Sequence, residues 1–170
     1  MRHISLLLLY LLIAAASPAA APRPNVFQDE EGDRWLLLGS KPLIFKIDPV
    51  TVGSDSLVVG TEVMPPGNKI PTHKHLYEDE AIFVHAGQVR VSLAGRVYVA
   101  KTGATVFIPH GTWIGVQNVS AARATIVFIF NKPGFERCLR ARSSRSGQTF
   151  VPPPPDKMAA MLAACHEVLK

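Results

Sequence analysis

Between positions 35 and 130 the chain contains nine short segments that are rich in β-branched and aromatic residues. Such residues favour strands over helices. The segments span residues 35–38, 43–47, 57–64, 81–84, 89–93, 97–100, 105–108, 113–117 and 124–130. Turns that contain glycine or proline separate most of them, for example at residues 65–67 and 109–111. Many short strands joined in this way predict an all-β fold, either a sandwich or a barrel.

The first 21 residues differ in character from the rest. Met1, Arg2 and His3 precede an apolar run over residues 4–16, and small residues follow that run. The pattern predicts a secretory signal peptide over residues 1–21, because a bilayer-spanning helix needs a longer run of about 20 apolar residues. We therefore expect an exported protein, periplasmic or secreted, with no membrane attachment after cleavage. Residues 22–41 are expected to form a flexible lead-in.

The chain is mildly basic, with 18 Lys and Arg against 13 Asp and Glu and a formal net charge of +5. Four of the basic residues lie in one segment without aromatic neighbours: Arg137, Arg140, Arg142 and Arg145. This segment is either a solvated loop or a nucleic-acid patch, and export favours the loop. We therefore expect no nucleic-acid partner.

Cys138 and Cys165 are the two cysteines of the chain. In an oxidising compartment they are expected to form a disulfide. Two unpaired thiols are the alternative, since the sequence does not give the distance between the two Cα atoms. A zinc site made of both cysteines and His166 would lack a fourth ligand.

Residues 136–170 are expected to form a proline-rich linker followed by a C-terminal helix. The segment 134–155 has no regular pattern and ends in four consecutive prolines, which hold an extended conformation. Asp156 is the expected N-cap of a helix over residues 157–169. A helix in this place commonly packs on the outside of a barrel.

Two histidines and a carboxylate are spaced as metal ligands. His73 and His75 are two residues apart on an expected strand, so their side chains point to the same face. Glu80 follows after a short turn and can return beside them. Two imidazoles and one carboxylate form a facial set that suits iron, manganese, zinc, nickel or cobalt. Glu78 or Asp79 would replace Glu80 if the turn were shorter.

The spacing around these ligands resembles the first signature motif of the cupin superfamily. Its anchors are Gly67, His73, His75, Glu80 and Gly87. A second cupin-like motif begins at Gly103 and continues through Pro109 and Gly111. It departs from the family pattern at Ile114, where the family usually carries a fourth ligand, a histidine.

This resemblance implies a double-stranded β-helix, or jelly-roll β-barrel, over residues 42–135. It implies that His73, His75 and Glu80 project into the barrel and hold a divalent metal ion, with iron or manganese favoured and zinc or nickel as alternatives. From the sequence, His110 is expected at the rim, either as an exposed turn histidine or as a further pocket residue. Tyr77, unless it is simply solvated, and Asn118 are the other candidates for the pocket.

Two functions are compatible with this reading. The first is a metal-dependent enzyme, of dioxygenase or isomerase type, that acts on a small organic molecule. The second is a non-catalytic module that binds a small ligand at a degenerate metal site, and Ile114 favours it. Fold membership does not decide between them. Because barrels of this kind often pair edge strands about a two-fold axis, a homodimer is expected.

Overall fold

The computed structural model describes residues 21–170, so the expected signal peptide lies outside the described residues except for its last position. The strands, in chain order, are β1 Asp33–Leu37, β2 Lys41–Ile47, β3 Val58–Met64, β4 Lys69–His75, β5 Glu80–Ala86, β6 Gln88–Leu93, β7 Arg96–Lys101, β8 Thr105–Ile108, β9 Ile114–Asn118, β10 Ala124–Phe130, β11 Ser143–Ser144 and β12 Glu167–Leu169. The helices are α1 Phe135–Ala141 and α2 Pro155–Ala164.

The strands form two antiparallel sheets, as the strand pattern predicts. The first sheet has the order β11-β1-β2-β3-β10-β5-β8, and the second has the order β12-β4-β9-β6-β7. Together they make a jelly roll with a C-terminal helix, so the expected fold class is confirmed. Each of the nine expected segments corresponds to one strand. Within residues 21–170, neither helix has the length and apolarity that crossing a bilayer requires.

The buried apolar residues divide into two clusters along β10. The barrel core comprises Met64, Ile82, Val84, Val89, Val91, Ala100, Ile108, Ile114, Val116, Ala124 and Ile126. The mouth cluster comprises Leu37, Leu43, Phe45, Val58, Phe128, Phe130, Phe135, Cys138, Leu139 and Cys165. Ile126 of β10 thus belongs to one cluster and Phe128 to the other. The two clusters occupy successive parts of the same interior.

The glycine that ends the first motif has a steric role. Gly87 lies between β5 and β6 with a φ of +83°, and a Cβ atom there would lie 2.9 Å from the Cα of Ala124. An L side chain is strained at this φ and would also strike β10. The tight reversal after β5 therefore requires glycine.

The region expected to be a flexible lead-in, residues 22–41, contains β1, which pairs with β2 along its whole length. The segment expected to be irregular, residues 134–155, contains α1 and β11. In α1 the buried residues Phe135, Cys138 and Leu139 lie on one helical face and pack in the mouth cluster. Tertiary packing of this face stabilises a helix that is too short to persist alone.

The arginine segment is only in part the solvated loop that the sequence favoured, since Arg137 and Arg145 are exposed. Arg140 forms ion pairs with Asp33, at 2.9 Å, and with the buried Asp48. Arg142 pairs with Glu167 at 2.8 Å. These largely buried pairs fix α1 and the following turn onto the barrel.

The helix expected over residues 157–169 ends earlier, at Ala164. Cys165 is bonded to Cys138 of α1, with 6.0 Å between the two Cα atoms, a separation typical of disulfides. The following residue, His166, has a φ of 54° and turns the chain. The last residues then form β12, which pairs antiparallel with β4.

Candidate metal centre

His73, His75 and Glu80 come together at the inner face of the barrel. The ligand atoms of the three side chains all lie within 4.8 Å of one another. β4 supplies both histidines and β5 begins at the glutamate, so the turn between the strands brings the carboxylate back to the imidazoles. All three residues are buried, with exposed fractions of 6%, 2% and 6%.

A backbone carbonyl fixes the orientation of the His73 ring. Its Nδ1 lies 2.8 Å from the carbonyl oxygen of Pro71, to which it donates a hydrogen bond. Nε2 is therefore the nitrogen with a free lone pair. Burial lowers the pKa of His73, and the neighbouring His75 lowers it further, which favours the neutral imidazole. A neutral imidazole is the form that binds metal.

The ring of His75 is held by aromatic contacts instead. Its centroid lies 5.2 Å from that of Phe130 and 4.3 Å from that of Phe135, both in edge-to-face geometry. Neither ring nitrogen has a hydrogen-bond partner within the described part of the chain. Glu80 Oε2, also without a hydrogen bond, lies 3.5 Å from His75 Nε2.

Buried polar atoms without partners cost free energy, on the order of 1–3 kcal/mol each. Here such atoms belong to two of the three clustered side chains, His75 and Glu80. Nitrogen and oxygen donors in this set suit a divalent first-row metal ion. The residues present therefore fit the group that the resemblance implies.

A cavity of about 260 Å³ opens beside these three residues, where the barrel core and the mouth cluster meet. Its walls are mainly apolar. They include Ile70, Ile82, Val116, Ile126, Phe128, Phe130 and Leu139. The site thus combines the polar side chains of His73, His75 and Glu80 with mainly apolar cavity walls, as small-molecule sites do.

Glu62, a further buried acidic residue, lines the same cavity. Burial raises its pKa to about 7, and the charge of Glu80 adds to the rise, whereas Lys41 and Arg142 oppose it. No sequence motif singles out this residue. The available signal was strand parity, because Glu62 alternates with Val58 and Met64 on the inner face of β3.

The C-terminal segment, for which the sequence predicted a helix on the outside of the barrel, covers part of this cavity. Met158 and Leu162 of α2 line it, and so do Glu167 and Leu169 of β12. β12 pairs with the strand that carries the histidines, and Glu167 lies opposite His75. The disulfide at residues 138 and 165 ties this cover to α1.

The three other residues predicted for the pocket lie elsewhere. His110 is at the surface, where its Nδ1 lies 2.7 Å from Asp79 Oδ1. Tyr77 is 54% exposed, and its ring packs on His166. Asn118 is fully buried but has a structural role, since its Nδ2 donates to the carbonyl oxygens of Met64 and Ala122.

The alternative ligands at the turn are also separate from the cluster of three. Asp79 bonds to the backbone N–H and ring of His110, and these contacts lower its pKa. Glu78 is buried, but its Oε1 lies against Gly134. The turn between β4 and β5 is therefore long enough for Glu80, rather than Glu78 or Asp79, to lie beside the two histidines.

Ile114, which occupies the position of the usual fourth ligand, is fully buried in the barrel core. It lies directly opposite His73 in the pairing of β4 with β9. A side chain at this position is therefore a cross-strand neighbour of one of the clustered histidines.

Comparisons with known proteins agree with this fold. Residues 60–130 match the family model of the cupin domain. The chain is 33% identical over 82 residues to the polyketide synthase CurC of Streptomyces cyaneus, covering 48% of this chain and 53% of that protein. The chain spans about half the length of the curated relatives it matches.

Two solved structures share the architecture. KdgF from a Halomonas species is 18% identical, with a TM-score of 0.56, and the match covers 65% of this chain and 96% of that one. A sugar phosphate isomerase from Silicibacter pomeroyi is 17% identical, with a TM-score of 0.56, covering 65% and 77%. Both show the fold alone. The match to the family model, together with the motif residues inside the barrel, identifies residues 60–130 as a cupin domain.

Proposed function

We propose that this protein is a metal-dependent cupin that acts on a small organic molecule. The observation that carries the proposal is the buried group of His73, His75 and Glu80, whose donor atoms lie within 4.8 Å of one another at the edge of a cavity. These side chains would hold a divalent ion, with iron or manganese favoured and zinc or nickel as alternatives.

A bound ion of this kind supplies Lewis-acid chemistry or, if redox-active, one-electron chemistry. The chain's own residues prepare the place for it. The carbonyl of Pro71 fixes the His73 ring, and the rings of Phe130 and Phe135 fix that of His75. The apolar walls exclude water, which strengthens polar interactions at the site. A reaction of dioxygenase or isomerase type is compatible with three protein ligands and open positions.

A non-catalytic ligand-binding module is the second candidate function. The specific observation in its favour is Ile114, which is buried in the barrel core where the usual fourth ligand would stand. With three ligands the site would retain metal more weakly. The cavity would then bind a small ligand through its apolar walls and polar groups alone.

We also propose that the protein is exported and that it pairs with a second copy of itself. The disulfide between Cys138 and Cys165 supports an oxidising compartment, periplasmic or extracellular. The edge strand β7 leaves three large side chains exposed, Val97 at 65%, Tyr98 at 48% and Val99 at 57%. An exposed apolar edge of this kind supports pairing with a second copy of the chain.

The test is elemental analysis of the chain from residue 22 onwards, purified without affinity metal. We expect about one divalent ion per chain, and its loss in the His73→Ala, His75→Ala double variant. The matched control is His85→Ala, because His85 is an exposed histidine with its ring 4.0 Å from Asp29. Metal that persists in the double variant would refute the ligand assignment. Absence of metal from the wild type, even after incubation with each ion, would favour the binding module.

A further inference from the structure

Glu62 is a buried ionisable group that the proposed metal chemistry leaves unused. Its exposed fraction is 5%, it lines the cavity, and its Oε1 has no hydrogen-bond partner within residues 21–170. A buried carboxyl in this state is costly, because it loses hydration without gaining a protein partner. Its retention in a mainly apolar wall needs a physical reason.

Nearby cations do not provide that reason. The Nζ of Lys41 donates to the carbonyl oxygen of Lys69 at 3.1 Å. Arg142 pairs with Glu167 at 2.8 Å, and its Nε donates to the carbonyl oxygen of Cys138. Both cations lower the pKa of Glu62, yet burial outweighs them and raises it to about 7. The carboxyl therefore remains available for a group that enters the cavity.

The strand register places Glu62 and Glu80, which both line the cavity, at different levels along β10, and we treat these two levels as the ends of the cavity. Glu62 lies opposite Ile126 of β10. Glu80 lies opposite Phe130 of the same strand. At about 3.3 Å per residue, these two positions on β10 are roughly 13 Å apart. The side chains that line the cavity between them on β10 are apolar, including Phe128.

The size of the cavity limits what can span these two ends. Its volume is about 260 Å³, the share of roughly nine liquid water molecules at ~30 Å³ each. A ligand that fills it is therefore a small molecule. To bind at both ends of the cavity, such a ligand carries an oxygen atom at the end near the metal residues and a hydrogen-bonding group at the end near Glu62.

We propose that Glu62 is a second ligand anchor, which hydrogen-bonds the distal polar group of a small, mainly apolar molecule whose other end binds at His73, His75 and Glu80. In its protonated form Glu62 donates to a carbonyl oxygen of the ligand. In its ionised form it accepts from a hydroxyl or amide N–H. The metal-binding end of this assignment rests on the proposed function, whereas the Glu62 end does not.

The test compares two probes by calorimetry, on metal-loaded and on metal-free protein. 3,4-Dihydroxybenzamide carries adjacent phenolic oxygens at one end and a carboxamide at the other. 4-Methylcatechol has the same oxygens and lacks the amide. The variants are Glu62→Leu, which removes the hydrogen bond, and Glu62→Gln, which keeps hydrogen-bonding capacity without the charge. Glu136→Gln is the matched control, since Glu136 is a buried glutamate of α1 outside the cavity lining.

The wild type is expected to prefer the benzamide probe, and Glu62→Leu to reduce this preference by about fivefold, the effect of one net hydrogen bond. Glu136→Gln should keep the wild-type preference. In metal-free protein, the preference for the benzamide probe over 4-methylcatechol should change between pH 6 and pH 8 in the wild type, and Glu62→Gln should remove that change. The charged groups that act on Glu62, namely Lys41, Glu80 and Arg142, are the same in both proteins, as are the other titratable residues of the cavity lining, His73, His75 and Glu167.

The outcomes separate this inference from the proposed function. An unchanged preference in Glu62→Leu, or no binding of the benzamide probe by the wild type at millimolar concentration, overturns the assignment of Glu62. If metal fails to bind but the metal-free protein shows a preference that depends on Glu62, the proposed function fails and the anchor stands.

Discussion

The barrel core and the cavity are formed by the same strands, yet they differ in what they bury. The barrel core consists entirely of apolar side chains, such as Met64 and Val84, which are fully buried. The cavity, which begins at Ile126 on the same strand β10, contains the buried polar residues Glu62 and His75 with atoms that lack partners.

This difference separates the residues that stabilise the fold from those that are available to bind a ligand. Apolar packing in the barrel core supplies stability without specific chemistry. Polar atoms without partners in the cavity cost stability, which is the usual sign of a site kept for a ligand. Substitutions at the two places should therefore have separate effects on folding and on binding.

The largest expected effect is on stability, from Met64→Ala in the barrel core. Met64 is fully buried, so its truncation leaves a void and removes dispersion contacts. We expect a loss of about 4 kcal/mol in the free energy of unfolding, measured by urea denaturation. Metal content per folded chain should stay at the wild-type value. A variant that loses metal while remaining folded would show that the two regions are not separable.

Much of the fold follows from local features of the sequence. Glycine and proline turns between short β-rich segments are sufficient to identify the strands, and strand parity is sufficient to place His73 and His75 on one face. β4 itself was less visible because Pro71 interrupts its pattern. The pairing of β4 with β9 shifts register between Ile70 and His73, which accommodates the proline.

Other features depend on contacts between distant parts of the chain. The helix α1 is stabilised by its position over the mouth cluster, and β12 forms because the turn at His166 brings it against β4. Neither contact leaves a strong local pattern. The residue type of Glu62 does not mark it as a site residue either, since a glutamate within a strand is ordinarily solvated.

The second prediction concerns the pH dependence of stability that Glu62 produces. Its pKa in the folded protein is about 7, above the ordinary value of 4.5, so the folded state binds more protons than the unfolded state between these values. The stabilisation is fully present below pH 4.5 and is lost as the pH rises through 7. Between pH 5 and pH 8 the wild type should lose about 2 kcal/mol more than Glu62→Gln.

Urea denaturation of both proteins across this pH range measures the difference. Glu62→Gln keeps the shape of the side chain and removes its titration, so it isolates this group from the other carboxylates. Parallel pH profiles for the two proteins would show that Glu62 is ionised throughout. The cavity would then tolerate a buried charge, and its contrast with the barrel core would be greater than we infer.

The smallest expected effect tests the boundary between the two regions, through Ile114→His. Ile114 packs in the barrel core but lies opposite His73, so an imidazole there is next to the clustered ligands. A fourth donor should tighten metal retention by about tenfold, which corresponds to about 1.4 kcal/mol. Competition with a chelator measures this affinity. Because the substitution also places a polar ring in an apolar cluster, some loss of stability should accompany the gain.

Gln117→His is the matched control for that variant. Gln117 lies on the same strand β9, but an odd number of residues from Ile114, so its side chain is on the opposite face. A histidine there should leave metal affinity unchanged. If Ile114→His also leaves the affinity unchanged, the side chain at residue 114 belongs to the barrel core alone. A fourth ligand would then have to be introduced at another position. Val116, which lies on the same face of β9 and lines the cavity, would be the residue to replace by histidine.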